Sequence, residues 1–330
     1  MFLRNTIRRR KRGIMSNKFK SLTALVAGLL AVAPFALPQT EGQGQGQTVV
    51  TVLPKKNDAP ATNVSQQNVQ IEVNGKQSQI TNWLPLRGSH ANVELVLLID
   101  DGARTSLGSE FDDIREFVQS LPPNVKISLA YMANGRSVFA GPLTANHATA
   151  LQQLHLPAAA PGYSASPYFC LSDLAKRWPS NDRSARREVI MITDGVDYYH
   201  LQYDPEDPYV QTAIQDSVRA NLVVYSIYWR NVGPVDRSWY ENNAGQNLLL
   251  EVADATGGNS YWIGFGNPVS LQPYFDDFSR RLNNQYELGF TVPLRGKAQV
   301  ENLKLKVTAP DVKVTAPKEV WVAPAGAATE

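Results

Sequence analysis

Two aspartates stand where an open α/β sheet would put them to use. Asp100 closes the apolar run VELVLLI (Val93–Ile99), and Asp194 follows EVIMIT (Glu188–Thr193). In a parallel sheet, ligands sit beyond the carboxyl ends of the strands, so both carboxylates belong to the ligand edge. Just past the second of them, the segment Asp197-Tyr198-Tyr199-His200-Leu201-Gln202-Tyr203-Asp204-Pro205 brings three tyrosines to the same edge. Tyrosines combine a large apolar body with a polar tip and are enriched where proteins bind one another; the alternative is that this loop packs on its own domain. Trp229-Arg230 and Trp239-Tyr240, after the next strand, extend the edge.

Residue types suited to catalysis are present but not assembled. His90, His147, His155 and His200 are scattered, with no HExxH, no GxSxG and no cysteine–histidine pairing. Asp112-Asp113 lies on an expected exposed helix face and reads as a solvated pair. Gly257-Gly258 neither follows a strand nor opens a helix, so it reads as a loop and not as a phosphate cradle. The lone Cys170, between Phe169 and Leu171, reads as a small buried hydrophobe, and one cysteine excludes a disulfide framework or a CxxC metal site. The expected class is therefore binding, not an enzyme.

The elements that must position these groups alternate in kind. Val93–Ile99, Val125–Met132, Glu188–Thr193 and Leu222–Trp229 are apolar runs typical of strands covered on both faces. Between them, Ser109–Leu121 carries Phe111, Ile114, Phe117 and Val118 at helical spacing, with Ser109 and Asp112 placed as a capping pair and Pro122 as the stop. Helices are also expected over 144–155, 168–178, from Asp207-Pro208 to about Arg219, over 247–255 and over 268–282, and a short strand over 259–263. This alternation implies an α/β fold with a mainly parallel, doubly wound sheet. Before it, Val69–Val73, Asn74-Gly75 and a second arm around Gln79–Leu84 read as a β-hairpin, because Asn-Gly supplies the two positive-φ positions of a type I′ turn. After Asn284 the rhythm becomes all-β.

The order of these segments resembles a von Willebrand factor type A domain. VELVLLIDDGARTS before a helix, SASPYFCLSDLAKRW, and VIMITDGVD match the three loops of that family, and Gln285–Phe290 resembles the closing strand of its bacterial exported group, which also carries a preceding β-hairpin. The resemblance implies a Rossmann-like fold over roughly residues 68–322. It also implies a metal-ion-dependent adhesion site, to which Asp100, Asp194 and Ser166 would correspond, with Ser164 as the alternative to Ser166. The family's two loop serines are replaced by Gly102 and Arg104; starting one residue later, at Asp101, puts Ala103 and Thr105 there instead. Mg²⁺ takes an octahedron of oxygens at about 2.0–2.1 Å, and loss of both hydroxyls weakens it. The expectation is thus a degenerate site with no cofactor, and Mg or Ca as the alternative. Either Arg104 lies over Asp100 and Asp194 and neutralises them, or it points to solvent while the aspartates cap the following helices.

The formal charge of +2 averages unlike parts. Eight of the 32 basic residues and none of the 30 acidic ones fall in residues 1–36, which leaves about −6 on the rest and little support for a nucleic-acid partner. The basic stretch precedes Leu22–Ala36, an apolar run of 15 residues. Roughly 20 are needed to span a bilayer, so it reads as a signal peptide cut near Ala36, with Met15 as an alternative start and an uncleaved membrane anchor as the alternative fate.

The expected organisation is a signal peptide (1–36), a flexible linker (37–66) rich in Gln, Gly and Pro, a β-hairpin extension (67–90), the von Willebrand A-like domain (91–283) and a β-strand region (284–330). The expected function is binding of a protein or peptide ligand outside the cytoplasm, in the periplasm or beyond the cell. The binding face would comprise Asp101, Arg104, Thr105, Asp197, Tyr198, Tyr199 and Tyr203. Metal-dependent adhesion and an assembly role in a cell-envelope complex are the alternatives.

Overall fold

The apolar stretch Val49–Leu53 finds its partners at the far end of the chain, and that pairing sets the architecture. The computed structural model describes residues 42–56, 60, 63–103, 105–231, 238–264, 266–294 and 296–326; the expected signal segment lies outside them. The first strands are β1 (Gly42–Pro54), β2 (Val69–Val73), β3 (Lys76–Gln77) and β4 (Gln79–Pro85). The alternating part follows as β5 (Val93–Asp100), α1 (Phe111–Ser120), β6 (Val125–Ala133), β7 (Arg136–Phe139), a short α2 (His147–Leu151), α3 (Pro167–Lys176), β8 (Arg186–Thr193), α4 (Pro208–Arg219), β9 (Leu222–Tyr228), α5 (Trp239–Thr256), β10 (Ser260–Tyr261) and α6 (Gln272–Leu282). Four strands close the chain: β11 (Gln285–Leu294), β12 (Gln299–Val307), β13 (Val312–Thr315) and β14 (Glu319–Pro324).

Six strands form an α/β layer in the order β10-β9-β8-β5-β6-β7, parallel except for β7, which runs antiparallel to β6 at the edge. The chain moves outward from β5 to β7 and then returns to β8, so the winding reverses between β5 and β8. Asp100 and Asp194 stand at the carboxyl ends of those two strands, at the switch point. Helices cover both faces. Ile114 and Phe117 of α1 and Phe275 and Phe278 of α6 pack with Leu95, Leu97, Ile190 and Ile192 on one side. Leu171 and Leu174 of α3, Val210 and Ile214 of α4, and Leu248 and Val252 of α5 pack with Val96, Leu98, Val189 and Met191 on the other. Strands buried on both sides require continuous apolar runs.

Helix ends depart from the sequence expectation in instructive ways. Asp207 caps α4 as expected, accepting from the Tyr209 and Val210 amides with Pro208 in the first turn. Ser109 does not cap α1; its hydroxyl donates to the Ser106 carbonyl, and Asp112 pairs with Arg115. Asp113 is not a solvated bystander either, because its Oδ2 accepts from Ser270 Oγ and from the Leu271 and Gln272 amides at the start of α6. α5 begins eight residues earlier than the expected 247, where Ser238 and Glu241 form a reciprocal capping box.

The expected flexible linker is corrected by β1, which occupies residues 42–54 of it. This strand pairs with β11 along ten residues and also with β13 and β14, and Val49, Val50, Val52 and Leu53 are buried. Gln- and Gly-rich composition suggested disorder, but Val49–Leu53 is buried, and for residues 42–47 β11 and β14 supply the apolar surface that GQGQGQ lacks. Gly46 marks the tightest approach, since a side chain there would strike the Phe290 ring and the Trp321 carbonyl. The hairpin is corrected as well. Asn74 and Gly75 adopt the expected positive φ of 50° and 72°, but the second arm is only Lys76–Gln77. Gln79–Pro85 departs to pair with β11 at the opposite edge. The terminal β segments, expected as extensions, form one eight-stranded sheet with the path β3-β2-β12-β14-β1-β11-β4 and β13 joined to β1. Its core includes Ile71, Leu288, Val320 and the stacked rings of Trp83 and Tyr286, 4.6 Å apart.

Arg186, at the start of β8, holds the two sheets together. Its Nη1 donates to the Leu282 carbonyl at 2.9 Å and to Gln285 Oε1 at 2.7 Å, where β11 begins. Beside it, Glu188 is fully buried and its carboxylate oxygens accept no hydrogen bond among the described residues. Burial pushes its pKa up to about 8, with the Arg186 charge pulling back. A carboxyl whose pKa rises on folding contributes stability that is complete below its unfolded value and is lost as pH rises through its folded value. Glu188→Gln should therefore gain on the parent between pH 4.5 and about 8, by more than the roughly 1.4 kcal/mol that corresponds to one pKa unit. Urea unfolding of both proteins at pH 5 and pH 9 checks this, and parallel pH profiles would refute it.

Candidate functional site

Asp100 lies at the centre of the strand-end face and is 1% exposed. Its Oδ1 accepts the Gly102 amide at 2.9 Å, the local turn that follows β5. Its Oδ2 accepts Thr193 Oγ1 at 2.9 Å, Asn231 Nδ2 at 3.2 Å and Ser164 Oγ at 3.5 Å. Three loops thus converge on one carboxylate. Burial first, and then the nearby Asp194 charge, raise its pKa to about 7, while these donors pull it down. Asp194 is equally buried, and its Oδ1 accepts the Val196 amide at 3.0 Å.

Ser166 is not part of this group. It caps α3, and its hydroxyl donates to Asp197 Oδ2 at 3.0 Å. Ala165, at φ 63°, turns the chain between the two serines and leaves Ser164 as the one facing Asp100. Asp197 is 1% exposed and corrects its placement on the binding face: it accepts the Tyr199 amide at 2.8 Å as well as Ser166 and shapes the loop from within, and burial raises its pKa. Asp101 turns toward another loop, accepting the Ala158 amide at 3.1 Å. Thr105 opens a short turn of 3₁₀ helix, Thr105–Glu110. Arg104 lies outside the described residues.

The donor set does not suit an octahedral cation. Each oxygen of Asp100 already accepts a proton donor from the protein. The position of the absent loop serine is tight, since a Cβ on Gly102 would lie 3.1 Å from the Ala160 carbonyl oxygen and 3.2 Å from the Gly162 amide. Among the described residues no group of three or more His, Cys, Asp or Glu side chains is placed to hold a metal. Asn231, which the sequence reading missed, gives Asp100 a neutral amide donor in place of a charge. Its only sequence signal was a polar side chain three residues past β9.

Around this buried centre the surface is aromatic. Tyr199 is 64% exposed and packs with Phe169 and Tyr209, ring centroids 5.2 and 6.3 Å away, while Phe169 and Tyr209 meet edge to face at 4.7 Å. Tyr198 and Tyr203 are also exposed, as are Trp239 and Tyr240. Trp229 is not; it belongs to the core beneath the sheet, which corrects its assignment to the edge. Phe169 and Tyr209 were not singled out in the sequence because they come from the first turns of two different helices.

No family model matches the sequence, and no curated protein does. Solved structures with a similar course of chain include an aerotolerance-related membrane protein from Bacteroides fragilis, 15% identical with a TM-score of 0.41, the match covering 58% of this chain and 99% of that one. BatB from Bacteroides thetaiotaomicron is 16% identical with a TM-score of 0.41, covering 58% and 97%. The ArnB paralog VWA2 from Sulfolobus acidocaldarius is 11% identical with a TM-score of 0.37, covering 84% and 76%. Likeness at this level concerns the arrangement of strands and helices and carries nothing about activity. In its six-stranded layer, with aspartates at the ends of the first and fourth strands, this chain is similar to von Willebrand factor type A domains.

Proposed function

We propose that this protein is an exported, non-enzymatic interaction module that binds a protein or peptide partner through the strand-end face of a von Willebrand A-like layer, without a resident metal. One contrast carries the reading: the carboxylates at the switch point are buried, with Asp100 accepting from Gly102, Thr193, Asn231 and Ser164 and Asp194 from the Val196 amide, whereas the surface around them offers exposed aromatic rings. Rings fixed by their neighbours lose little entropy on binding, which is the character of an interface anchor. The hydroxyls nearest the acidic pair, Thr193 Oγ1 and Ser164 Oγ, donate to Asp100; among the described residues the close histidine–carboxylate contact, His200 Nδ1 with Asp207 Oδ2 at 2.6 Å, involves instead the residue that caps α4. Export rests on the basic segment and apolar run in residues 1–36; among the described residues no helix is long and apolar enough to cross a membrane.

Two measurements test the proposal. Titration with Mg²⁺, Mn²⁺ and Ca²⁺ should give no heat and no rise in melting temperature, since a cation bound to the native state must stabilise it. Immobilised protein should retain its partner from an envelope extract in the presence of EDTA, and Tyr199→Ser with Tyr209→Ser should weaken retention by about tenfold or more. Micromolar binding of a divalent ion, or retention unchanged in the double variant, would sink the proposal.

A further inference from the structure

At the amino ends of β8 and β9, opposite the aspartate face, the antiparallel sheet and the end of α4 enclose a cavity of about 470 Å³. A side recess of about 290 Å³ shares its basic wall. That wall is made by Arg183, Arg187 and Arg219. Among the described residues none of the three forms an ion pair with a carboxylate. Arg187 is 6% exposed and donates to the Ser180 carbonyl at 3.0 Å. Its guanidinium lies over Trp178 at 5.5 Å, and that of Arg219 lies over Trp321 at 4.8 Å. Stacking uses the face of a guanidinium and leaves its in-plane N–H groups as donors, fixed in direction before any ligand arrives.

Burying one guanidinium beside another is costly: burial and then the Arg183 charge lower the pKa of Arg187, and the Glu94 and Asp182 charges offset only part of this. The carboxylate on the lining of the larger cavity, Glu287, is held by Asn82, whose Nδ2 donates to Oε1 at 2.5 Å, and Asp216 in the recess is paired with Lys176 at 2.9 Å. The floor of the cavity is uncharged and polar, with Gln45, Gln47 and Thr291 beside Asn82. Its size falls in the range that accepts a small organic ligand.

We propose that this cavity binds a small hydroxylated acid, of the class of sugar acids and sugar phosphates. The arginines take the anionic group by paired N–H donors, and the amide and hydroxyl floor takes the ligand's hydroxyls. The site is independent of the strand-end face, and its ligand is a small molecule, not a protein.

Calorimetric titration of the whole protein with glucuronate, glucose 6-phosphate, inorganic phosphate and glucose tests this. Either or both acids should bind, with inorganic phosphate and glucose weaker by roughly tenfold or more. Arg183→Gln with Arg219→Gln, both at exposed positions, should keep the parent's melting temperature and weaken acid binding by about tenfold or more, and added salt should weaken binding in the parent. No heat from either acid, or heat unchanged in the double variant, would overturn the proposal. Inorganic phosphate binding as tightly as glucose 6-phosphate would mean an adventitious ion only and would overturn it equally.

Discussion

Gly245→Ala should lower stability by about 2–3 kcal/mol, although alanine is the better helix former and the position lies inside α5. A Cβ there would fall on the carbonyl oxygen of Asp194 and 3.1 Å from the Gly195 carbonyl carbon. Across the contact, Gly195 has φ 68°, and a Cβ on it would meet the Gly245 carbonyl oxygen at 2.5 Å. Two glycines on different elements thus press the loop after β8 against α5 and set the depth at which Asp194 sits. Helix propensity favours the alanine by roughly 1 kcal/mol, so the steric term must exceed that before any loss is seen. Urea unfolding with an unchanged m-value would establish the loss. A variant as stable as the parent would show that the loop yields and that the aspartate face is not held from this side.

Arg186→Met is the second large effect, with an expected loss of about 3–5 kcal/mol. Methionine fills much of the same volume but leaves the Leu282 carbonyl and the Gln285 side-chain oxygen without their donor, while the Ala91 carbonyl, 3.4 Å from Nη2, keeps the Asn124 side-chain amide. Each stranded buried acceptor costs about 1–3 kcal/mol, and relaxation around them limits the sum. Because these acceptors belong to the seam where α6 passes into β11, the unfolding transition should also broaden as the sheets uncouple. The reverse test is Glu188→Gln, which removes a carboxyl that burial keeps protonated near neutral pH. At neutral pH Glu188→Gln should stabilise where Arg186→Met destabilises, and an Arg186→Met variant as stable as the parent would mean the arginine holds nothing across the seam.

The fold was legible to the extent that local chemistry dictated it. Val93–Ile99 and Glu188–Thr193 are apolar at every position, which only a strand covered on both faces tolerates, and Asp207-Pro208 starts a helix wherever it is placed. Residues 42–47 were not legible, because GQGQGQ has no apolar face of its own. It becomes a strand through Leu288, Phe290 and Val322, supplied by segments at the other end of the chain. The second arm of the hairpin was misplaced for the same reason. Asn74-Gly75 fixes a turn and nothing beyond it, and Gln79–Pro85 gains more by pairing with β11 than by continuing beside β2.

The candidate site divides along the same line. Sequence alone determined that Asp100 and Asp194 would stand at strand ends on the ligand edge, because strand length and alternation with helices set that position, and that the Tyr198–Tyr203 loop would border them; that their strands are neighbours came from the sheet order. Tertiary structure alone decided that Ser164 and not Ser166 faces Asp100, that Asn231 donates to it, that Asp197 turns inward, and that Phe169 and Tyr209 join Tyr199 at the surface. A side chain's partner depends on where loops distant in sequence come to rest, and that is settled by packing over the whole layer, which no local pattern encodes.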